Sequence, residues 1–273
     1  MKHSAIFSRS ELLVGVRAME RLSRSRVILF GVGGVGGWCA EALIRSGIGA
    51  LTLVDSDAVC ITNVNRQIQA TTATVGKVKV EELAARLRQI NPQAELTALP
   101  RVYNIDTRDG FALESYDYIV DAIDSLSPKL GLIMYALTLN GTLFSSMGAS
   151  ARLDPTRVRI GSIWESKGCP LAKRIRKRLH RHHIERDFQV VYSDEPLVQL
   201  GSAGVCGTAD CFCPKRMTTA AGECLDAHEW CGNKAHINGS MVHVTAVFGM
   251  FLASLVVNDV VAKAAQVPTP AIS

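Results

Sequence analysis

The sequence predicts an α/β fold: a mainly parallel sheet covered by helices on both faces. Three observations predict it. Short apolar runs alternate with helical stretches from residue 26 to residue 145. A glycine cluster, Gly31 to Gly37, joins the first run to the first of those stretches. The second and fourth runs each end at an acid, Asp55 and Asp121.

Taken in order, residues 9–25 read as one charged amphipathic helix with Leu12, Leu13, Val16, Met19 and Leu22 at helical spacing. Residues 26–30 (Arg26-Val27-Ile28-Leu29-Phe30) form an apolar run of the buried parallel-strand kind, and 38–45 are helical. Residues 51–55 make a second strand, and 78–90 an amphipathic helix that Asn91-Pro92 stops. Strands come next at 95–100, 116–122 and 141–145, with a helix at 128–139. The pattern changes near residue 151. A strand at 158–164 precedes a basic helix at 171–183, and 189–192 is a further strand. Residues 193–236 carry five cysteines and no convincing periodicity, and a helix at 242–262 closes the chain.

Of the 273 residues, 48% are hydrophobic and 20% charged, which excludes a disordered chain. The net charge of +5 is local. Lys173, Arg174, Arg176, Lys177, Arg178 and Arg181 form a run with no acid, and without them 24 basic residues face 25 acidic ones. Such a patch suits one anionic partner surface. The first 26 residues lack the apolar core of a signal peptide. The longest apolar run, Val244 to Val257, has 14 residues, short for a membrane span. The expectation is a cytoplasmic protein without a membrane segment. In such a chain the eight cysteines are free, metal-bound or catalytic rather than disulfide-paired.

Gly31-Val32-Gly33-Gly34-Val35-Gly36 comes after a strand and opens a helix. That is a Rossmann-like phosphate turn: Gly31 permits the bend, Gly33 lets the backbone approach a phosphate, and Gly36 lets helix and strand pack closely. Asp55, 19 residues after Gly36, ends the next strand where a carboxylate accepts ribose hydroxyls. The residues beyond Asp55 separate ATP from NAD. They are Asp57, Asn63, Arg66 with Gln67, and Lys79. A dehydrogenase has no need of an arginine and a lysine beside the phosphate turn. An enzyme that attacks the α-phosphate does, because charge builds there and on departing pyrophosphate. Asp124, with Ser125 next to it, lies beyond the fourth strand, where a carboxylate can hold Mg²⁺ against a triphosphate.

In combination, Gly31-x-Gly33-Gly34-x-Gly36, Asp55-x-Asp57, Asn63-x-x-Arg66-Gln67, Gly76-x-x-Lys79 and Asp121-x-x-Asp124 resemble the ubiquitin-activating-enzyme-like adenylyltransferases. That superfamily includes the molybdopterin-synthase and thiamine-biosynthesis enzymes. The resemblance implies a homodimeric adenylation domain over residues 1–273. It would comprise an N-terminal helix (1–25), a nucleotide-binding core (26–150), a strand and basic helix (151–192), a Cys-rich crossover (193–236) and a C-terminal helix (237–263). It implies that Asp55 binds ribose, that Asn63, Arg66 and Lys79 contact phosphates, and that Asp124 is the magnesium-associated acid. Arg9 falls where the family has an arginine that reaches the partner subunit's triphosphate; the alternative is a solvated helix start.

Longer stretches are similar to one branch, the tRNA threonylcarbamoyladenosine dehydratases. They are Asp55 to Ile68, Asp121 to Ser125, Asp154-Pro155-Thr156, Pro170-Leu171-Ala172 with the Lys/Arg helix, and Val244 to Gly249. The resemblance implies ATP-dependent activation of the threonine carboxylate of threonylcarbamoyladenosine in tRNA, and then ring closure. The basic helix would contact RNA backbone, the alternative being a solvated charged helix. The rival branch adenylates the C-terminus of a ubiquitin-like sulfur carrier, but its two Cys-x-x-Cys zinc pairs are missing. A sulfur-relay or cysteine-desulfurase partner is a further expectation. An NAD-dependent oxidoreductase and a non-catalytic nucleotide sensor are rivals of other classes, disfavoured by Arg66 with Lys79.

Cys206, Cys211, Cys213, Cys224 and Cys231 admit three readings: a zinc site, a nucleophile (Cys231 by its spacing from the last helix), or a crossover loop that happens to hold cysteines. Cys39, Cys60 and Cys169 read as packing residues, and Trp164 and Trp230 as packing or base-stacking ones.

Overall fold

The computed structural model describes residues 5–198, 200–201 and 239–266. Among these residues seven strands form one sheet: β1 (Arg26–Phe30), β2 (Ala50–Val54), β3 (Glu95–Leu99), β4 (Tyr118–Asp121), β5 (Thr142–Ser146), β6 (Val158–Ser162) and β7 (Gln189–Ser193). Their order is β3-β2-β1-β4-β5-β7-β6. All neighbours are parallel except the edge pair β6 and β7. The helices are α1 (Ser8–Val14), α2 (Val16–Arg24), α3 (Gly36–Arg45), α4 (Lys79–Ile90), α5 (Leu126–Ala136), α6 (Pro170–Arg181) and α7 (Val242–Ala265).

Alternate residues of the central strands feed two cores. Val27 and Leu29 of β1, with Leu51 and Leu53 of β2, pack against α2, α3, α4 and α7. Ile28 and Phe30 point the other way, with Leu143 and Val190, against α5, α6 and Phe111. Both faces of the central strands β1, β2 and β4 are therefore dry, which is why they read as apolar runs, whereas β3 at the edge leaves Glu95 and Thr97 exposed. Chain order runs β1 to β3 outward on one side and resumes with β4 on the other side of β1. The strand order thus reverses between β1 and β4, and ligands bind beyond the carboxyl ends of strands at such a point.

One expected element is broken. The helix foreseen over 9–25 is two helices, because Gly15 between them has φ +80° and ψ 163°, outside the helical region. Met19 and Leu22 on α2 are buried, whereas Leu12 and Leu13 on α1 are 88% and 85% exposed. Helix α7 extends beyond the apolar run in it. By length and composition it could cross a membrane, and half of its most apolar window is buried inside the protein.

Candidate nucleotide site

Two turns meet at the point of reversal. Gly31, at φ +82°, leaves β1, and a Cβ on it would lie 2.8 Å from the Ala122 carbonyl beyond β4. A Cβ on Gly36 would lie 1.8 Å from the Gly31 carbonyl, so only glycine lets α3 start this close to the strand end. The first turn of α3 therefore aims its amides into the crevice between β1 and β4.

Asp55 lies just past β2. Its Oδ2 accepts the Val32 N–H at 2.9 Å and its Oδ1 the Asp57 N–H at 2.9 Å. Burial pushes its carboxyl above the ordinary range, against the pull of Lys79. Lys79, the buried first residue of α4, donates to Asp57 Oδ2 at 2.7 Å. Burial alone would lower the Lys79 ammonium, but Asp55 and Asp57 more than offset it and its proton is held more tightly than usual. Asp57 is in direct contact and serves as the counter-ion.

Arg66 lies over the glycine turn: a Cβ on Gly34 would meet its side chain at 3.2 Å. Its Nη1 donates to the Thr62 carbonyl and to Asn65 Oδ1, both at 2.9 Å. Trp38 Nε1, on α3, donates to the Arg66 carbonyl at 3.0 Å. Asn63 is buried and its Oδ1 caps the Cys60 N–H at 3.0 Å. Gln67 is buried beneath Gly33.

Across the crevice, Asp124 is exposed, with the Ser125 hydroxyl 3.4 Å from its Oδ1. The other acid of that motif, Asp121, faces inward. Its Oδ2 meets Lys129 Nζ at 2.7 Å, and both side chains are wholly buried. Ser145 Oγ donates to the same Oδ2 at 2.6 Å, the Ile123 N–H to Oδ1 at 3.0 Å, and Lys129 Nζ to the Ile123 carbonyl at 2.9 Å. Asp121 is thus the anchor of the turn that carries Asp124. Sequence reasoning missed Lys129 and Trp38. Lys129 had a signal: it is the one charge in the otherwise apolar 126–136 segment, and a buried ammonium requires a partner.

The basic helix α6 buries Ala172, Ile175 and Leu179. Lys173, Arg174, Lys177, Arg178 and Arg181 are exposed. Arg176 departs from the expected outward set: its Nη1 donates to the Ile163 and Ser166 carbonyls at 3.2 and 2.9 Å and to the Ser166 hydroxyl. Trp164 packs in the second core with its ring 4.7 Å from that of His180, so it serves α6 rather than standing open. Arg9 is exposed on α1. Cys39, Cys60 and Cys169 are buried, and burial pushes the Cys39 thiol far up. The cysteines from Cys206 to Cys231, and Trp230, lie outside the described residues.

This crevice, with an acid and two cations beside a glycine turn, is a candidate nucleotide site. A model of the ThiF family matches residues 7–270, and the chain belongs to that family. It is similar to the tRNA threonylcarbamoyladenosine dehydratase of Bacillus subtilis, 45% identical over 70% of this chain and 76% of that one. It is also similar to the enzyme of the same name from Escherichia coli, 36% identical over 95% of each chain. A crystal structure of the Escherichia coli tRNA N6-threonylcarbamoyladenosine dehydratase in complex with ATP covers 96% of both chains, with TM-score 0.79 and 32% identity; the protein has also been solved with AMP.

Proposed function

We propose that the chain uses ATP to adenylate the threonine carboxylate of threonylcarbamoyladenosine in tRNA and lets the activated acyl group cyclise, releasing AMP and pyrophosphate. The observation that carries this reading is the convergence of the glycine turn, Asp55, Arg66 and Lys79 at the β1–β4 reversal. It occurs in a chain that matches the dehydratases over nearly its whole length. Asp55 keeps lone pairs for ribose hydroxyls while its two backbone bonds fix its direction. The substrate carboxylate oxygen bonds to the α-phosphorus as the bond to pyrophosphate breaks. Lys79 and Arg66 stabilise the charge that develops there. A nucleophile within the same side chain then attacks the acyl carbon, AMP leaves, and the net change is loss of water. The tethered nucleophile needs little further help.

The resemblance also implies Mg²⁺, and the residues present fit it. Among the described residues no group of three or more His, Cys, Asp or Glu side chains forms a metal cage. Asp124 offers one exposed carboxylate, and Mg²⁺ commonly takes one or two carboxylates and fills its shell with phosphate oxygens and water. When bound, the ion would neutralise charge on the triphosphate. The exposed cations of α6 would hold the tRNA backbone. The exposed apolar side chains around α1 (Ile6 before it, Leu12 and Leu13 on it, and Val16 at the start of α2) support a homodimer in which α1 carries Arg9 toward the partner's nucleotide. The cytoplasm, where tRNA and ATP meet, is the compartment this reading requires.

Incubating the protein with ATP and tRNA bearing the modification tests the reading by nucleoside mass spectrometry. The expected outcome is loss of one water per modified base, matched by one AMP. AMP formation only with a carrier protein ending in Gly-Gly would instead establish the sulfur-carrier branch.

A further inference from the structure

Residues 66–69 lie across the glycine turn. Arg66 covers Gly34, and a Cβ on Gly37 would lie 2.9 Å from Gln69 Oε1. Gln69 is 3% exposed. Its Nε2 donates a 2.6 Å hydrogen bond to the Val32 carbonyl. Since a carbonyl only accepts, the nitrogen must face Val32 and the oxygen must face Gly37. That oxygen is buried with no hydrogen-bond partner. An apolar side chain would avoid this cost but would take the donor from the Val32 carbonyl and from Gln67 Oε1, so the amide is kept for the bonds its nitrogen makes.

What the amide achieves is visible at Val32. The Val32 N–H is held by Asp55 Oδ2, and its carbonyl by Gln69. The second residue of the phosphate turn is therefore clamped at both ends, once by the acid after β2 and once by the segment carrying Arg66. The Arg66 carbonyl is in turn held by Trp38 on α3. Gln69 closes a loop of contacts that joins the Arg66 segment to the turn it covers. We propose that Gln69 is a positioning residue, which fixes the glycine turn for the triphosphate and keeps Arg66 in register above it. The proposal rests on the ATP reading of the site.

The test compares wild type with Gln69→Met, which keeps length and loses the donor. Gln69→Met should raise the Kd for ATP about tenfold by calorimetry. It should raise the KM for ATP by the same factor in pyrophosphate exchange and lower kcat as well, since Arg66 then falls out of register with the charge that develops at the α-phosphorus. Adenosine, which lacks phosphates, should inhibit both proteins equally. A merely structural role would lower the melting temperature and leave this split unmoved. Gln69→His, with a ring N–H, should recover most of the ATP affinity. Should Gln69→Met fail to fold, Gln69→Asn, whose amide is too short to reach, carries the same expectation. Equal ATP affinity in wild type and variant, or equal weakening of ATP and adenosine, would overturn the proposal. Wild-type protein that binds no ATP would overturn the nucleotide reading itself, and this one with it.

Discussion

The crevice end of β1 and β4 and the basic helix α6 use charge in opposite ways. At the crevice, charged groups are committed to the backbone. Asp55 holds the Val32 and Asp57 amides, and Asp121 with Lys129 holds both ends of Ile123. On α6, five of six cations stand in solvent and only Arg176 is turned in. The first region resists rearrangement and suits a small ligand of fixed shape. The second is a field with loose geometry, which suits a long anionic backbone.

The sharpest way to break the contrast is at the wholly buried ion pair. Lys129→Met leaves Asp121 buried without its counter-ion and should cost about 3–5 kcal/mol of folding stability. Urea unfolding would measure it. The double variant Asp121→Asn with Lys129→Met should recover most of the loss, because the uncompensated charge is gone. Lys177→Ala on α6 should change stability by less than about 0.5 kcal/mol. Comparable losses from Lys129→Met and Lys177→Ala would erase the distinction.

Next in size is chemistry. Lys79→Ala removes the cation proposed to meet the phosphates while Asp57, its partner, is part exposed and can turn to water. The fold should survive and ATP–pyrophosphate exchange should fall about 10²- to 10³-fold. A milder effect comes from pH. Burial raises the Asp55 carboxyl, so as pH falls it is neutralised earlier than an ordinary carboxylate. ATP affinity should decline as pH drops from neutral toward the carboxylate range, and Asp55→Asn should flatten that profile. Asp194, near the β6–β7 edge, behaves in the opposite sense, because the hydrogen bond from Arg157 holds it below its ordinary value. Its contribution to stability is present above that ordinary value and is lost only as pH falls through the lowered one. Mild acid should therefore weaken ATP binding while the Arg157–Asp194 contact persists, which calorimetry and thermal unfolding without nucleotide can separate.

The same contrast explains what the sequence made legible. The glycine turn and the strand-end acid Asp55 were readable because backbone geometry sets those residue types at that spacing, whereas Lys79 stood out only through the chemistry of α-phosphate attack and the family resemblance. The central strands were readable because both of their faces are dry. Gly15 escaped because a lone glycine in a helical pattern is tolerated as often as it ends one, and only the dihedral decides. Gln69 and Trp38 escaped because each acts on the backbone of a residue distant in sequence. No local pattern encodes a bond from 69 to 32 or from 38 to 66. Arg176 escaped because periodicity separates an apolar face from a polar one but cannot say which border cation turns inward.

That border cation sets the finest test. Each exposed cation of α6 that contacts a phosphate displaces counterions, so its removal should lower the slope of log affinity against log salt by somewhat less than ~1. Lys177→Ala and Arg178→Ala should each do so for tRNA bearing the modification, with little change in melting temperature. Arg176→Ala should do the reverse. Its guanidinium ties α6 to the Ile163 and Ser166 carbonyls, so the salt slope should hold while the melting temperature falls. Filter binding over a salt series, paired with thermal unfolding of the same proteins, reads both quantities. If Arg176→Ala lowers the slope as much as Lys177→Ala does, the inward contacts of Arg176 give way when RNA arrives, and all six cations belong to the RNA surface.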